Sequence, residues 1–372
     1  MAGQQRTIKR GDKMDIDIIE ILKRAVDENV SDIFIISGCP LSFKTNNQIQ
    51  PIDNHVLSSY KLKPEDTKKC IEQIYILSNN RDMKPFLETG DDDFSFSIEG
   101  LCRFRCNTYF QRGSLAAVLR GVAFQLPNPA ELHIPDSVID LSKRKKGLVL
   151  ITGSAGSGKS TTLACIIDKI NHTRNSHIIT IEDPIEYLHK HDKSIVSQRE
   201  LSHDTIGYVQ ALRAALRQAP NVILLGEMRD YETITTAMTA AETGQLVLST
   251  LHTVGAANTI DRIIDVFPPN QQQQIRVQLS MVLQAVVSQQ LIPAKDGTLL
   301  PVFEFMLVNA AIRNLIRESK VHQIDNAIYA ASGEGMVAMD GDIFRLYAQG
   351  KITKETALIY AANPESLAKK LI

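Results

Sequence analysis

The chain has 372 residues, a formal net charge of −1 and a pI near 6.8. Hydrophobic residues make up 44% and charged residues 22%, a mix that fits a soluble globular protein with two or three cored domains. The near-neutral balance argues against broad electrostatic binding of nucleic acid, and no uncharged stretch is apolar and long enough to span a bilayer.

Residues 1–14 are polar and lack the apolar core of a signal peptide, so they read as a flexible tail. Residues 15–125 read as a small α+β domain. It opens with "IDIIEILKRAVDENV", apolar at helical spacing, and "SDIFIIS", a strand. "KPEDTKKCIEQIYIL" begins with Pro64 and acidic residues, a helix start. "DDDFSFSIEG" and "LCRFRCNTYFQRG" alternate around Gly100 as an antiparallel hairpin, and "SLAAVLRGVAF" extends the sheet. The five cysteines, Cys39, Cys70, Cys102, Cys106 and Cys165, are scattered, which suits reduced thiols in a cytosolic protein. Cys102 and Cys106 lie four apart, but no second pair or histidine cluster completes a zinc set, so they read as buried thiols on a strand.

Pro127, Pro129 and Pro135 mark residues 126–138 as a linker. Residues 139–372 then change rhythm. The short apolar strands "GLVLITG", "HIITIE", "NVILLGE" and "QLVLSTLHT" alternate with helical stretches, the pattern of a parallel sheet covered on both faces. After Pro268 the chain reads as mostly helical, with a helical C-terminal region from about residue 291 to 372.

"GSAGSGKS" fits G-x-x-x-x-G-K-[ST] and lies between an apolar strand and an apolar-periodic helix. Its residues are Gly153, Ser154, Ala155, Gly156, Ser157, Gly158, Lys159 and Ser160. Glycines let backbone N–H groups converge on phosphate oxygens, and the helix N-terminus adds its positive end. Lys159 is expected on the β- and γ-phosphates and Ser160 on Mg²⁺. Hydrolysis also needs a group that orients or deprotonates water. Glu182 ends a strand, and Asp183, Pro184 and Glu186 follow. The single crossover from Lys159 allows this strand to neighbour the one before it. Parallel sheets place ligands at the carboxyl ends of their strands, where these acids would face the phosphates. Alternatively they are the acidic first turn of a helix after Pro184. Glu227 and His252 end two further strands. A glutamate at that strand end can reach Mg²⁺ through water while a loop carboxylate handles the attacking water.

Taken together, "GSAGSGKSTT", "ITIEDPIEYLH", "VILLGEMRD", "TAAETGQLVLSTLHT" and "TIDRIIDVFP" resemble the secretion ATPases of type II secretion and type IV pili, over nearly the whole chain. "AIRNLIRE" (Ala311 to Glu318) is similar to the motif of the PilT-type pilus-retraction ATPases. The four-cysteine zinc motif and long extra N-terminal domain of the extension and secretion enzymes are not found. The resemblance implies an α/β fold: a RecA-like P-loop NTPase core, an N-terminal PAS-like domain and a helical C-terminal part. It implies a homohexamer that hydrolyses ATP with Mg²⁺ to retract a type IV pilus, giving twitching motility. The expected setting is cytoplasmic, at the inner face of the membrane through a pilus platform protein, with pilin machinery engaged indirectly.

The resemblance also assigns roles. Gly153 to Thr161 form the Walker A loop. Glu186 is the catalytic base, in a box with Glu182 and Asp183, which can also serve the metal. Glu227 supports Mg²⁺, and His252 lies in a histidine box. Arg105, Arg112 and Arg120 complete the site across a domain or subunit boundary, with Arg262 a further candidate; without the family, Arg105 and Arg120 read as solvent-facing strand residues with buried stems. The end of the chain, "VAMDGDIFRLYAQGKIT", departs from the family pattern. The rival readings are an extension or secretion ATPase, a RecA-like nucleic-acid motor, which would need a basic channel, and a nucleotide-binding regulator without turnover.

Overall fold

The computed structural model describes residues 16–45, 48–54, 57–122 and 126–371. The tail expected over 1–14 lies outside the described residues. The chain divides into two compact units, Met1–Phe124 and Gln125–Ile372.

The first unit carries helices α1 (Ile18–Asp27), α2 (Pro64–Leu77) and α3 (Lys84–Thr89). Its strands are β1 (Asp32–Ile35), β2 (Ser42–Thr45), β3 (Gln48–Pro51), β4 (Asp91–Ser97), β5 (Arg103–Gln111) and β6 (Ser114–Val122). The carboxylate of Asp17 caps α1 by accepting from the Ile19 amide at 2.9 Å, and Ile18, Ile21, Leu22 and Ala25 form its buried face. The sheet runs β3-β2-β1-β6-β5-β4, with every neighbouring pair antiparallel. β5 and β6 are joined through Arg112 and Gly113, both left-handed at φ 51° and 77°, which suits the right-handed twist of a tight hairpin. Cys102 and Cys106 are both buried, and burial raises both thiol pKa values, that of Cys102 to about 11.

In the second unit α4 (Asp136–Ile139) precedes β7 (Gly147–Thr152), α5 (Lys159–Thr173), β8 (His177–Glu182) and β9 (Ile195–Glu200). Then come α6 (Tyr208–Ala215), β10 (Val222–Leu225), α7 (Tyr231–Glu242), β11 (Leu246–Leu251), α8 (Ala256–Asp265) and α9 (Pro269–Val282). β12 (Leu283–Pro293) and β13 (Leu299–Leu307) follow, and α10 (Ala310–Arg317), α11 (Ile324–Ala330), α12 (Met339–Ala348), α13 (Lys354–Tyr360) and α14 (Pro364–Ala368) close the unit. The sheet order is β13-β12-β7-β11-β10-β8-β9, parallel except at β13. Every residue of β7, β10 and β11 is buried. Side chains alternate between two cores: Leu148 and Leu150 enter one, Val149 and Ile151 the other.

The sheet corrects two expectations. β7 and β8 are not neighbours, because β11 and β10 pair between them. The region from residue 291 is not helical throughout: β12 and β13 form an antiparallel hairpin, and helix resumes only at Ala310. α9 passes into β12 with no turn residue between Val282 and Leu283, so the amide-rich run from Gln271 to Gln290 carries no break to read. β9, half polar at a sheet edge, also goes unannounced.

Candidate nucleotide site

The phosphate-loop sequence is shaped by what lies beneath it. Gly153 has φ 143°, and a Cβ there would stand 2.1 Å from the carbonyl oxygen of Gln289 and 2.6 Å from Ser157 Oγ. Only glycine fits that approach. Gly156 and Gly158 are left-handed, and Gly158 turns the chain into α5. Gln289, on β12, is buried under the loop and accepts from Thr162 Oγ1 at 2.8 Å. The sequence offered no signal for it: it is one amide in a run read as helical, with no motif.

Lys159 is buried, and its Nζ donates to the Gly153 and Ser154 carbonyls at 2.9 and 2.8 Å. Burial lowers its pKa, while the charges of Glu186 and Glu227 oppose that shift. Both carboxylates therefore lie within its electrostatic reach. Lys159, Ser160, Glu182, Asp183, Glu186, Glu227 and His252 line one cavity of about 300 Å³. The separate strand ends thus meet over the loop, as the parallel order of β7, β11, β10 and β8 requires.

Each acid is held differently. Gly226 donates its amide to the Ile181 carbonyl at 2.8 Å, and Thr250 Oγ1 donates to the Gly226 carbonyl at 2.6 Å. That fixes the backbone at Glu227. The Glu227 carboxylate takes Arg229 Nε at 2.6 Å and lies 3.3 Å from His252 Nε2. Glu182 keeps slight surface exposure, but protein encloses its carboxyl. Loss of hydration pushes its pKa up to about 7, against hydrogen bonds donated by Thr180 Oγ1 at 2.6 Å and Gln198 Nε2 at 3.3 Å. Glu186 is exposed to the cavity. No helix follows Pro184, so the acidic residues belong to a loop rather than a helix first turn. Gln198 Nε2 also donates to the Tyr187 carbonyl at 2.8 Å, and the Tyr187 hydroxyl meets Thr161 Oγ1 at 2.9 Å. Tyr187, Gln198, Tyr208 and Arg229 are site residues that the motif reading missed.

A second cavity of about 410 Å³ is lined by Gly158, Thr161, Thr162, Gln289, Leu291 and His133, among others. It borders the same loop and the first turn of α5.

The remaining arginines are described within their own units. Arg105 makes a two-point pair with Asp93 (Nη2 at 2.5 Å, Nε at 3.1 Å) within the first unit. Arg120 meets the buried Asp32 opposite it in register, at 2.8 and 2.9 Å. Arg112 sits exposed at the β5–β6 tip, and Arg262 exposed on α8. Arg262, in the same unit as the carboxylate cavity, does not line it.

The sequence pattern of the type II/IV secretion system proteins matches residues 11–333. The chain is 42% identical over 351 residues to the type IV pilus retraction ATPase PilT of Pseudomonas aeruginosa, covering 94% of this chain and 100% of that one. This chain belongs to the PilT-type branch of the type II/IV secretion ATPases. Other relatives include a twitching motility protein of Neisseria gonorrhoeae, 39% identical over 94% of this chain and 92% of that one. A crystal structure described as the pilus retraction motor PilT with bound ADP superposes with a TM-score of 0.87 at 45% identity, over 95% of this chain and 100% of that one. The DotB ATPase of Legionella pneumophila superposes at 0.74 with 26% identity, over 94% and 97%. As a PilT-type protein the chain is an α/β nucleotide-binding ATPase. Among the described residues, no helix is long and apolar enough to cross a membrane.

Proposed function

We propose that this chain is a ring-forming motor that hydrolyses ATP with Mg²⁺ to retract a type IV pilus. The observation that carries the reading is the meeting of Lys159, Glu186, Glu227 and His252 in one cavity. The Walker A residues Gly153 to Thr161 hold the triphosphate, with Lys159 moving from its loop carbonyls to the β- and γ-oxygens. The cavity beside Gly158 and Gln289 has room for the nucleoside.

The donor set suits magnesium. Ser160, Asp183 and Glu227 offer hard oxygens in one cavity, and no group of three or more ligating side chains is gathered among the described residues. That matches an ion that keeps its waters and takes few protein ligands. Glu182 already accepts two hydrogen bonds and resists ionisation, so it contributes less to the metal than Asp183 and Glu227. When bound, Mg²⁺ neutralises charge developing on the phosphates. Glu186, unencumbered and facing the cavity, orients and deprotonates the attacking water. His252 senses Glu227 and steadies it.

The first-unit arginines remain candidates to complete the site in a homohexamer, with Arg105 or Arg120 exchanging its present carboxylate for phosphate charge. The motor works in the cytoplasm against an inner-membrane platform protein. α10 is amphipathic: Ile312 and Ile316 are buried, while Arg317 is exposed. It offers a surface for coupling turnover to that partner.

The test is cellular. Deletion in the source organism should leave surface pili without twitching, and restoration should require intact Lys159. Normal twitching after deletion, or rescue by Lys159→Ala, would refute the reading.

A further inference from the structure

Tyr208, the first residue of α6, belongs to no motif identified above. Its ring reaches across the end of β10. A Cβ built on Gly226 would stand 2.8 Å from the Tyr208 hydroxyl oxygen, 3.3 Å from the Ile181 carbonyl and 3.5 Å from Glu182 Cα. The hydroxyl therefore occupies the space that any residue other than glycine would need beside Glu227. It also lines the carboxylate cavity, together with Glu182, Asp183, Glu227 and Arg229. That position lies between the ends of β8 and β10, the two strands that deliver the acids. A phenol is an O–H donor, so at this position it can donate among carboxylates without adding charge.

We propose that Tyr208 is a positioning residue for ATP hydrolysis: its hydroxyl, seated against Gly226, donates into the Glu227 side of the cavity and fixes that carboxylate for turnover. Gly226 is kept small to admit it. Arg229 and His252 both approach one oxygen of Glu227, Oε2, so a further donor restrains the rotation those two leave open. The inference rests on Glu227 acting in turnover.

The experiment uses the full-length protein. Tyr208→Phe keeps the ring and removes the donor. It should lower kcat roughly tenfold or more, the scale of a hydrogen bond to a charged group. KM for ATP, affinity for a fluorescent ADP analogue and the melting temperature should stay close to wild type, which a mere packing role would not predict. Gly226→Ala should also lower kcat, because its methyl displaces the hydroxyl. Adding Gly226→Ala to Tyr208→Phe should cost much less than adding it to wild type, since the colliding oxygen is gone. Glu227→Gln serves as the reference arm. If it is impaired while Tyr208→Phe turns over within twofold of wild type, the proposal is wrong. Equal cost of Gly226→Ala in both backgrounds would overturn it as well. If Glu227→Gln itself is unimpaired, the reading of Glu227 fails first and takes this proposal with it.

Discussion

Gly153→Ala tests the seating of the phosphate loop on β12. The added Cβ would lie 2.1 Å from the Gln289 carbonyl oxygen. An ordinary C···O approach is about 3.3 Å, so loop and strand must part by about 1.2 Å. Gln289 cannot yield easily, because its backbone pairs within the sheet and its side chain holds Thr162. Overpacking of this kind costs about 1–3 kcal/mol, and the left-handed backbone adds about 1–2 kcal/mol for a residue with a side chain. A total near 3.5 kcal/mol lowers Tm by about 10 °C in a unit of this size. Gly156→Ala is the control. Its φ is 77°, but no atom lies within 4 Å of the new methyl. It bears only the conformational cost, about 4 °C on the same scale. Melting curves without nucleotide separate the two. Turnover should follow, since a loop displaced by about 1 Å can lose roughly a hundredfold in rate. Equal melting temperatures for the two variants would refute the steric argument.

Glu182 gives a signed pH dependence. Its carboxyl pKa rises from 4.5 to about 7 on folding, so between those values the folded state holds the proton more tightly and stability falls as pH rises; above 7 the loss is complete, at most about 3 kcal/mol. Glu182→Gln keeps an acceptor for Thr180 and Gln198, so it should melt like wild type at pH 5 and higher than wild type at pH 8; a constant offset would contradict the assignment. Gln289→Ala leaves Thr162 Oγ1 without its acceptor beneath the loop. It should raise KM for ATP roughly tenfold with a smaller effect on kcat, and an unchanged KM in steady-state kinetics would remove Gln289 from the site.

The strands that build the floor of the site were legible because they are buried on both faces. β7 and β10 read as unbroken apolar runs and β8 and β11 as mostly apolar ones, and the glycines and lysine of the loop follow β7 directly. The ends of those runs named the acids and His252. Strand order was not legible, because β11 enters between β7 and β10 only through long-range pairing. β12 was hidden for another reason. Its glutamines are held by specific partners, Gln289 buried under the phosphate loop and the half-buried Gln290 donating to the Tyr360 carbonyl at 3.4 Å, and a polar residue satisfied by tertiary contacts has the sequence signature of an exposed one. Tyr208 escaped for a similar reason: its significance lies in what Gly226 lacks, 18 residues further along the chain.

The most direct measurement pairs binding with turnover for Glu186→Gln and Lys159→Ala in the purified protein. The account predicts that Glu186→Gln binds ATP near wild-type affinity and hydrolyses it at least a hundredfold more slowly, on the order expected for loss of a general base, whereas Lys159→Ala loses affinity. Wild-type turnover in Glu186→Gln, or wild-type binding and turnover in Lys159→Ala, would contradict the claim that this cavity is where ATP is cleaved.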